Sequence, residues 1–92
     1  MAVAIIMDFE GTLDQYDQVI EKMGLQDGST PPGAIFHWVA KTDGGMRVVD
    51  VWESREVFDQ FAQEQIGPYT AEVGIEGPPA MTYYDVHNTL PH

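Results

Sequence analysis

His37 and Asp50 flank an Asp43-Gly44 pair, and an Asp-Gly pair between two alternating apolar runs is a strong signal for a two-residue hairpin turn. With Asp43-Gly44 as the loop, the register sets Val39 opposite Val48, His37 opposite Asp50 and Ile35 opposite Trp52. A carboxylate against an imidazole fixes its tautomer and stabilises the charged ring, which is the equipment of general acid–base catalysis; the same pair also serves as a merely self-satisfied polar contact. His87, with Asp85 two positions before it on one side of a strand-like segment, is a second catalytic candidate. Trp52, Tyr83, Ile35 and Asp8 are candidates to line a substrate site beside them.

The ligand types His37, His87, Asp50 and Asp85 lack the close spacing of a metal motif, so no metal is expected. With no cysteine in the chain there is no thiolate ligand, disulfide or cysteine nucleophile. The glycines fall at turns and form neither a phosphate loop nor a dinucleotide fingerprint nor a nucleophile elbow, so no cofactor is expected. Fifteen acidic residues against four basic ones give a net charge of −11, which repels phosphate backbones and anionic lipid and argues against nucleic acid and membranes as partners. The apolar run Ala2 to Met7 is short and lacks a basic flank, and the reading is a cytoplasmic protein.

These side chains need elements to hold them. At 92 residues, 43% hydrophobic and 21% charged, the chain has the composition of one globular domain, residues 1–92. Ala2 to Phe9 reads as a first strand, and Thr12-Leu13-Asp14-Gln15 as a capping box opening a helix whose Leu13, Tyr16, Ile20 and Met23 share one apolar face before Gly24 ends it. Gly24 to Gly33 is a Gly- and Pro-rich loop that rims something. Ala34 to Lys41 and Met46 to Glu53 form the hairpin. Ser54 caps a second helix with Val57, Phe58, Phe61 and Ala62 as its stripe; Gly67-Pro68 interrupts it, and a short helical turn follows to Val73. After a loop from Gly74 to Pro79, Ala80 to Thr89 reads as the last strand.

The order β-α-β-β-α-β defines an α+β, ferredoxin-like sandwich: one four-stranded antiparallel sheet with both helices on one face. The other face lacks a cover within the chain, and a homodimer closing over it into an α/β barrel is the expected solution. Apolarity assigns the faces. Phe36, Trp38, Val49 and Val51 are expected against the helices, as are Val3, Ile5, Met7 and Phe9, Tyr84 and Val86, and Arg47 near the turn. Ile35, His37, Asp50 and Trp52, together with Asp8, Met81, Tyr83, Asp85 and His87, are then expected to line the cavity between the two copies.

The stretch Arg47-Val48-Val49-Asp50-Val51-Trp52-Glu53-Ser54, running into Arg55-Glu56-Val57-Phe58-Asp59-Gln60-Phe61, resembles the dimeric α/β-barrel superfamily, which includes antibiotic-biosynthesis-type and haem-degrading monooxygenases and small isomerases and cyclases. The resemblance spans nearly the whole chain. It implies a homodimer, a small-molecule substrate of apolar or aromatic character, and ligand contact at Trp52. Haem-degrading relatives carry an axial histidine on the helix after this strand, whereas Ser54 to Ile66 contains none. The activities implied are cofactor-independent oxygenation, in which His37, Tyr83, Trp52 and Asn88 would supply polar groups, or proton-transfer isomerisation or cyclisation, with non-catalytic ligand binding as the alternative.

Overall fold

Alternation in Val3–Phe9 places Val3, Ile5, Met7 and Phe9 on one side of the first strand, and all four are buried. In the computed structural model, which describes residues 1–90, that strand is β1. It is followed by helix α1 (Leu13–Met23), the hairpin β2 (Ala34–Thr42) and β3 (Gly45–Trp52), helix α2 (Arg55–Phe61), a π-helical turn (Ala62–Ile66), helix α3 (Gly67–Glu72) and β4 (Ala80–Asp85). The strands form one antiparallel sheet in the order β2-β3-β1-β4, the ferredoxin-like arrangement. No helix of the described residues is long and apolar enough to cross a membrane.

The local signals that start and stop these elements are met in detail. The Gln15 amide donates to Thr12 Oγ1 at 3.1 Å and the Thr12 amide to Gln15 Oε1 at 2.9 Å, closing the capping box of α1. Ser54 Oγ accepts from the Val57 amide at 3.2 Å at the start of α2. Thr42 pairs with Gly45, so Asp43-Gly44 is the two-residue loop. Only glycine fits after it: a Cβ at Gly45 would stand 2.0 Å from the Phe9 carbonyl oxygen.

Two boundaries differ from the sequence reading. The last strand stops at Asp85, which pairs with Val3, because β1 begins there; the Val86 amide still donates to the Ala2 carbonyl at 2.9 Å, and the segment to Thr89 runs on beyond the sheet. Gly67-Pro68 does not break the second helix. Pro68 cannot donate a backbone hydrogen bond, and the chain absorbs this by widening into the π turn, where the Gly67 amide reaches back to the Ala62 carbonyl. The extra residue rephases the helix. Phe61 is followed on the sheet-facing side by Ile66 and Thr70, where an unbroken α-helix would present Gln65 and Tyr69.

The core lies between the helices and the β1 face that carries Ile5 and Met7. Phe58 is fully buried and meets Trp52 edge to face at 5.6 Å between centroids; truncating it to alanine would cost about 3–5 kcal/mol.

The faces of the hairpin and of β4 are the reverse of the expectation. Val3 pairs with Trp52, Ile5 with Asp50 and Met7 with Val48, and cross-strand partners share a face, so Trp52, Asp50 and Val48 lie with the helices, as does His37 opposite Asp50. Tyr83, opposite Ile5, lies there too, along with Met81 and Asp85. Phe36, Trp38, Val49, Val51 and Tyr84 stand on the uncovered face, and so does Arg47 opposite Asp8. The apolar contrast misassigned the faces because the uncovered one is apolar as well.

Candidate functional site

A cavity of about 380 Å³ opens between the sheet and the helices inside a single copy of the chain, within the roughly 300–1,000 Å³ usual for small-molecule sites. Its floor is the helix-facing side of β1 and β3, its walls are α1 and the α2–α3 segment, and its rim is the Gly28 to Pro31 part of the loop that the sequence marked as a rim. Gly33 seats that loop. It has φ 91° and a Cβ there would meet Val57 Cγ1 at 2.6 Å, so the chain can pass this close to α2 only without a side chain. The shared cavity between two uncovered faces, expected from sequence, is therefore not where His37, Asp50 and Trp52 point: the reversed faces turn them into this internal cavity.

Four side chains from three elements form one hydrogen-bonded chain at its end. Asp50 is 5% exposed and, among the described residues, carries the one buried charged side chain. Its Oδ1 meets His37 Nδ1 at 2.5 Å, and its Oδ2 accepts from Trp52 Nε1–H at 3.0 Å. On the other side of the imidazole, Nε2 is hydrogen-bonded to the hydroxyl of Tyr16, which projects from the second turn of α1 with its ring stacked against the imidazole at 5.8 Å. Burial pushes the Tyr16 phenol above its ordinary value, helped by the negative charges of Asp50 and Asp17. Tyr16 is therefore a neutral donor to Nε2. The histidine then carries its own proton on Nδ1, facing the carboxylate, and both Asp50 oxygens are satisfied. The result is a base whose lone pair faces the cavity through a phenol, backed by a carboxylate that stabilises the ring when it gains a proton. The His37 side chain retains 34% accessibility, so the polar end of the cavity is reachable.

Of the residues marked from sequence, His37, Asp50, Trp52 and Ile35 line the cavity. Ile35 does so differently from the expected pairing. Ala34 takes the place opposite Trp52, and a β-bulge before Phe36 leaves Ile35 unpaired at the mouth. Tyr83 shares the helix-facing side but lies beyond Phe58, its ring edge-to-face with Phe58 at 6.2 Å and covered by the Arg55 guanidinium at 3.8 Å. Asp8 is on the uncovered face in a bidentate pair with Arg47, at 2.8 and 3.1 Å, and the Arg47 hydrogen bond holds its carboxyl below the usual range. His87 and Asn88 are exposed beyond the end of β4, away from the cavity. Among the described residues no group of three or more His, Asp or Glu side chains is placed to hold a metal ion.

Tyr16 was missed as a functional residue. Its spacing with Ile20 and Met23 reads as core packing, yet a tyrosine turned inward needs a partner for its hydroxyl, and that need is a signal in itself.

A ferredoxin-like α+β sandwich enclosing a largely apolar cavity within one copy of the chain, with a Tyr16–His37–Asp50–Trp52 hydrogen-bonded chain at one end, is the class that this geometry defines. The chain aligns with Rv0793 from Mycobacterium tuberculosis at a TM-score of 0.68 and 20% identity over 98% of this chain and 99% of that one. It aligns with a putative antibiotic biosynthesis monooxygenase from Chloroflexus aurantiacus J-10-fl at 0.66 and 16%, over 97% and 96%. It also aligns with SnoaB, a cofactor-independent oxygenase from Streptomyces nogalater, at 0.59 and 16%, over 99% and 96%. No family model and no curated protein matches the sequence. The chain has the ferredoxin-like fold of the antibiotic-biosynthesis-monooxygenase structures.

Proposed function

We propose that the protein is a small-molecule enzyme that deprotonates a hydroxylated, electron-rich aromatic substrate in the internal cavity and lets the resulting anion react with dioxygen without a cofactor. The observation that carries this reading is the Tyr16–His37–Asp50–Trp52 chain, whose one open end faces a largely apolar cavity. A substrate hydroxyl placed against Tyr16 gives its proton to the phenol oxygen as the phenol proton passes to His37 Nε2. The imidazolium so formed is held by Asp50. For a substrate with an activated ring methylene, the carbanionic carbon bonds to dioxygen, the peroxide anion takes the proton back from His37, and loss of water leaves the carbonyl; the methylene is oxidised and dioxygen reduced. SnoaB, a cofactor-independent oxygenase of the same fold, supports this reading over other acid–base chemistry.

The uncovered face is proposed to be closed by a second copy, since Phe36 and Tyr84 stand 60% and 58% exposed there with Trp38 between the strands' other apolar residues. Dimerisation then supports the sheet from behind and leaves one cavity in each copy.

The test is dioxygen uptake, with mass spectrometry of products, over a set of anthrones and naphthols, for the wild type and for His37→Ala. The expected result is a product one oxygen heavier and two hydrogens lighter, lost in the variant. A product of unchanged mass with moved double bonds would replace oxygenation by isomerisation. Recovery of every bound compound unchanged would leave a binding protein.

A further inference from the structure

The charges around the cavity carry a statement about what it admits. Resting on the proposed site, we infer that the cavity selects against anionic ligands: it takes an uncharged hydroxyarene and rejects the same skeleton bearing a carboxylate.

Three of the four Lys and Arg side chains are paired away from the cavity, and the fourth stands at the far end of the hairpin. Lys22 pairs with Glu72 at 3.1 Å across α1 and α3, Arg47 with Asp8 on the uncovered face, and Arg55 with Asp59 and the Tyr83 ring. Lys41 stands beside the hairpin turn. None of the four lines the cavity, so a carboxylate or phosphate entering it finds no counter-ion. It finds instead the buried charge of Asp50, with Asp17 close enough to Tyr16 to act on the phenol. An anion is thus desolvated without compensation and repelled as well.

What remains fits a neutral ring system. Met7, Met23 and Met46, three of the five methionines, line the cavity and give it polarisable, adaptable walls for a flat aromatic body. The negative charge that the chemistry needs then arises only inside, when the hydroxyl is deprotonated, and its counter-ion is the imidazolium formed by the same proton transfer. Selection against anions and activation of a neutral ligand are two results of one arrangement.

Isothermal titration calorimetry of the full chain at neutral pH with 2-naphthol, 6-hydroxy-2-naphthamide and 6-hydroxy-2-naphthoate tests this without depending on turnover. The expected result is similar affinity for the first two and at least about tenfold weaker binding of the carboxylate, a difference of about 1.4 kcal/mol. Leu25→Arg, which adds a cation at the cavity wall, is expected to narrow that gap. The inference is overturned if the carboxylate binds as well as the amide, or if Leu25→Arg leaves their ratio unchanged; oxygenation of neutral naphthols or anthrones would still stand in either case. If none of the three binds, the cavity is not a hydroxyarene site, and the proposed function falls with the inference.

Discussion

Replacing Asp50 by asparagine should leave the fold nearly intact while reversing the proton order along the chain that ends at Tyr16. The two carboxylate oxygens accept from His37 Nδ1–H and Trp52 Nε1–H. An amide keeps one acceptor, and its other end is a donor. Trp52 Nε1 can only donate and is buried with a ring 2% exposed, so the amide oxygen must turn to it. The amide nitrogen then donates to His37 Nδ1, which forces the ring proton onto Nε2 and makes that atom a donor to Tyr16. Hydrogen bonds to a charged group contribute about 1.5–3 kcal/mol each against about 0.5–1.5 for neutral ones, so exchanging two of them costs about 2–3 kcal/mol. Relief from burying a carboxylate, itself several kcal/mol, opposes that loss, and the net change should stay below about 2 kcal/mol in urea unfolding. Asp50→Ala, by contrast, strands the Trp52 donor without any partner at about 1–3 kcal/mol beyond the bonds lost, and should be the less stable of the two. Long-range nitrogen–proton NMR correlations on His37 read the tautomer directly. The expected outcome is Nδ1–H in the wild type, Nε2–H in Asp50→Asn, and activity on any substrate found falling about 10²–10⁴-fold. An Asp50→Asn protein that keeps Nδ1–H and full activity would refute the assigned roles.

Tyr16→Phe should abolish most of the proton transfer and also change the alkaline limb of stability. The folded-state phenol titrates above its ordinary value near 10, so the stability tied to its proton is present below about pH 10 and lost as pH rises through the folded value. Unfolding midpoints should fall more steeply above pH 10 in the wild type than in Tyr16→Phe, and parallel curves would exclude the effect. For Asp8, whose carboxyl is held down by Arg47, the linked stability is present above the ordinary carboxylate value and lost as pH falls. Arg47→Gln should remove that acid-limb component, as read by urea midpoints between pH 5 and pH 3, about the ordinary carboxylate range. Gly33→Ala should destabilise the chain by about 1–3 kcal/mol from its positive φ alone, with Val57→Ala relieving only the added side-chain clash. Trp38→Glu on the uncovered face should give a folded monomer by sedimentation, and a wild type that is itself monomeric would remove the proposed dimer.

The elements were legible because their signals are local: the capping box, the Asp-Gly turn and the Ser54 cap each act within a few residues, and the His37–Asp50 pairing follows from the turn alone. The faces were not legible. What sets them is the pairing of β1 with β3, strands joined through a helix and another strand, with no turn between them to fix a register. Hydrophobic contrast then pointed the wrong way, since the residues expected in a polar pocket include a carboxylate fully satisfied by its neighbours, whose burial no composition rule anticipates. Tyr83, Asp8 and His87 followed those faces or strand ends and lie apart from the cavity. Tyr16 came into view only once His37 was known to point toward the helices.

The π turn at Ala62–Ile66 gives this scaffold a place where its length can change without its chamber changing. The turn holds one residue more than regular winding needs, so removing a single residue between Phe61 and Ile66 would leave Ile66 four and Thr70 eight positions after Phe61, the spacing of one α-helical face. Ile66 and Thr70 would then keep the cavity wall, and β3 and the His37–Asp50 pair would stay in place. Lineages descended from such a protein could thus lose or gain a codon at this point while sparing both the wall and the chemistry.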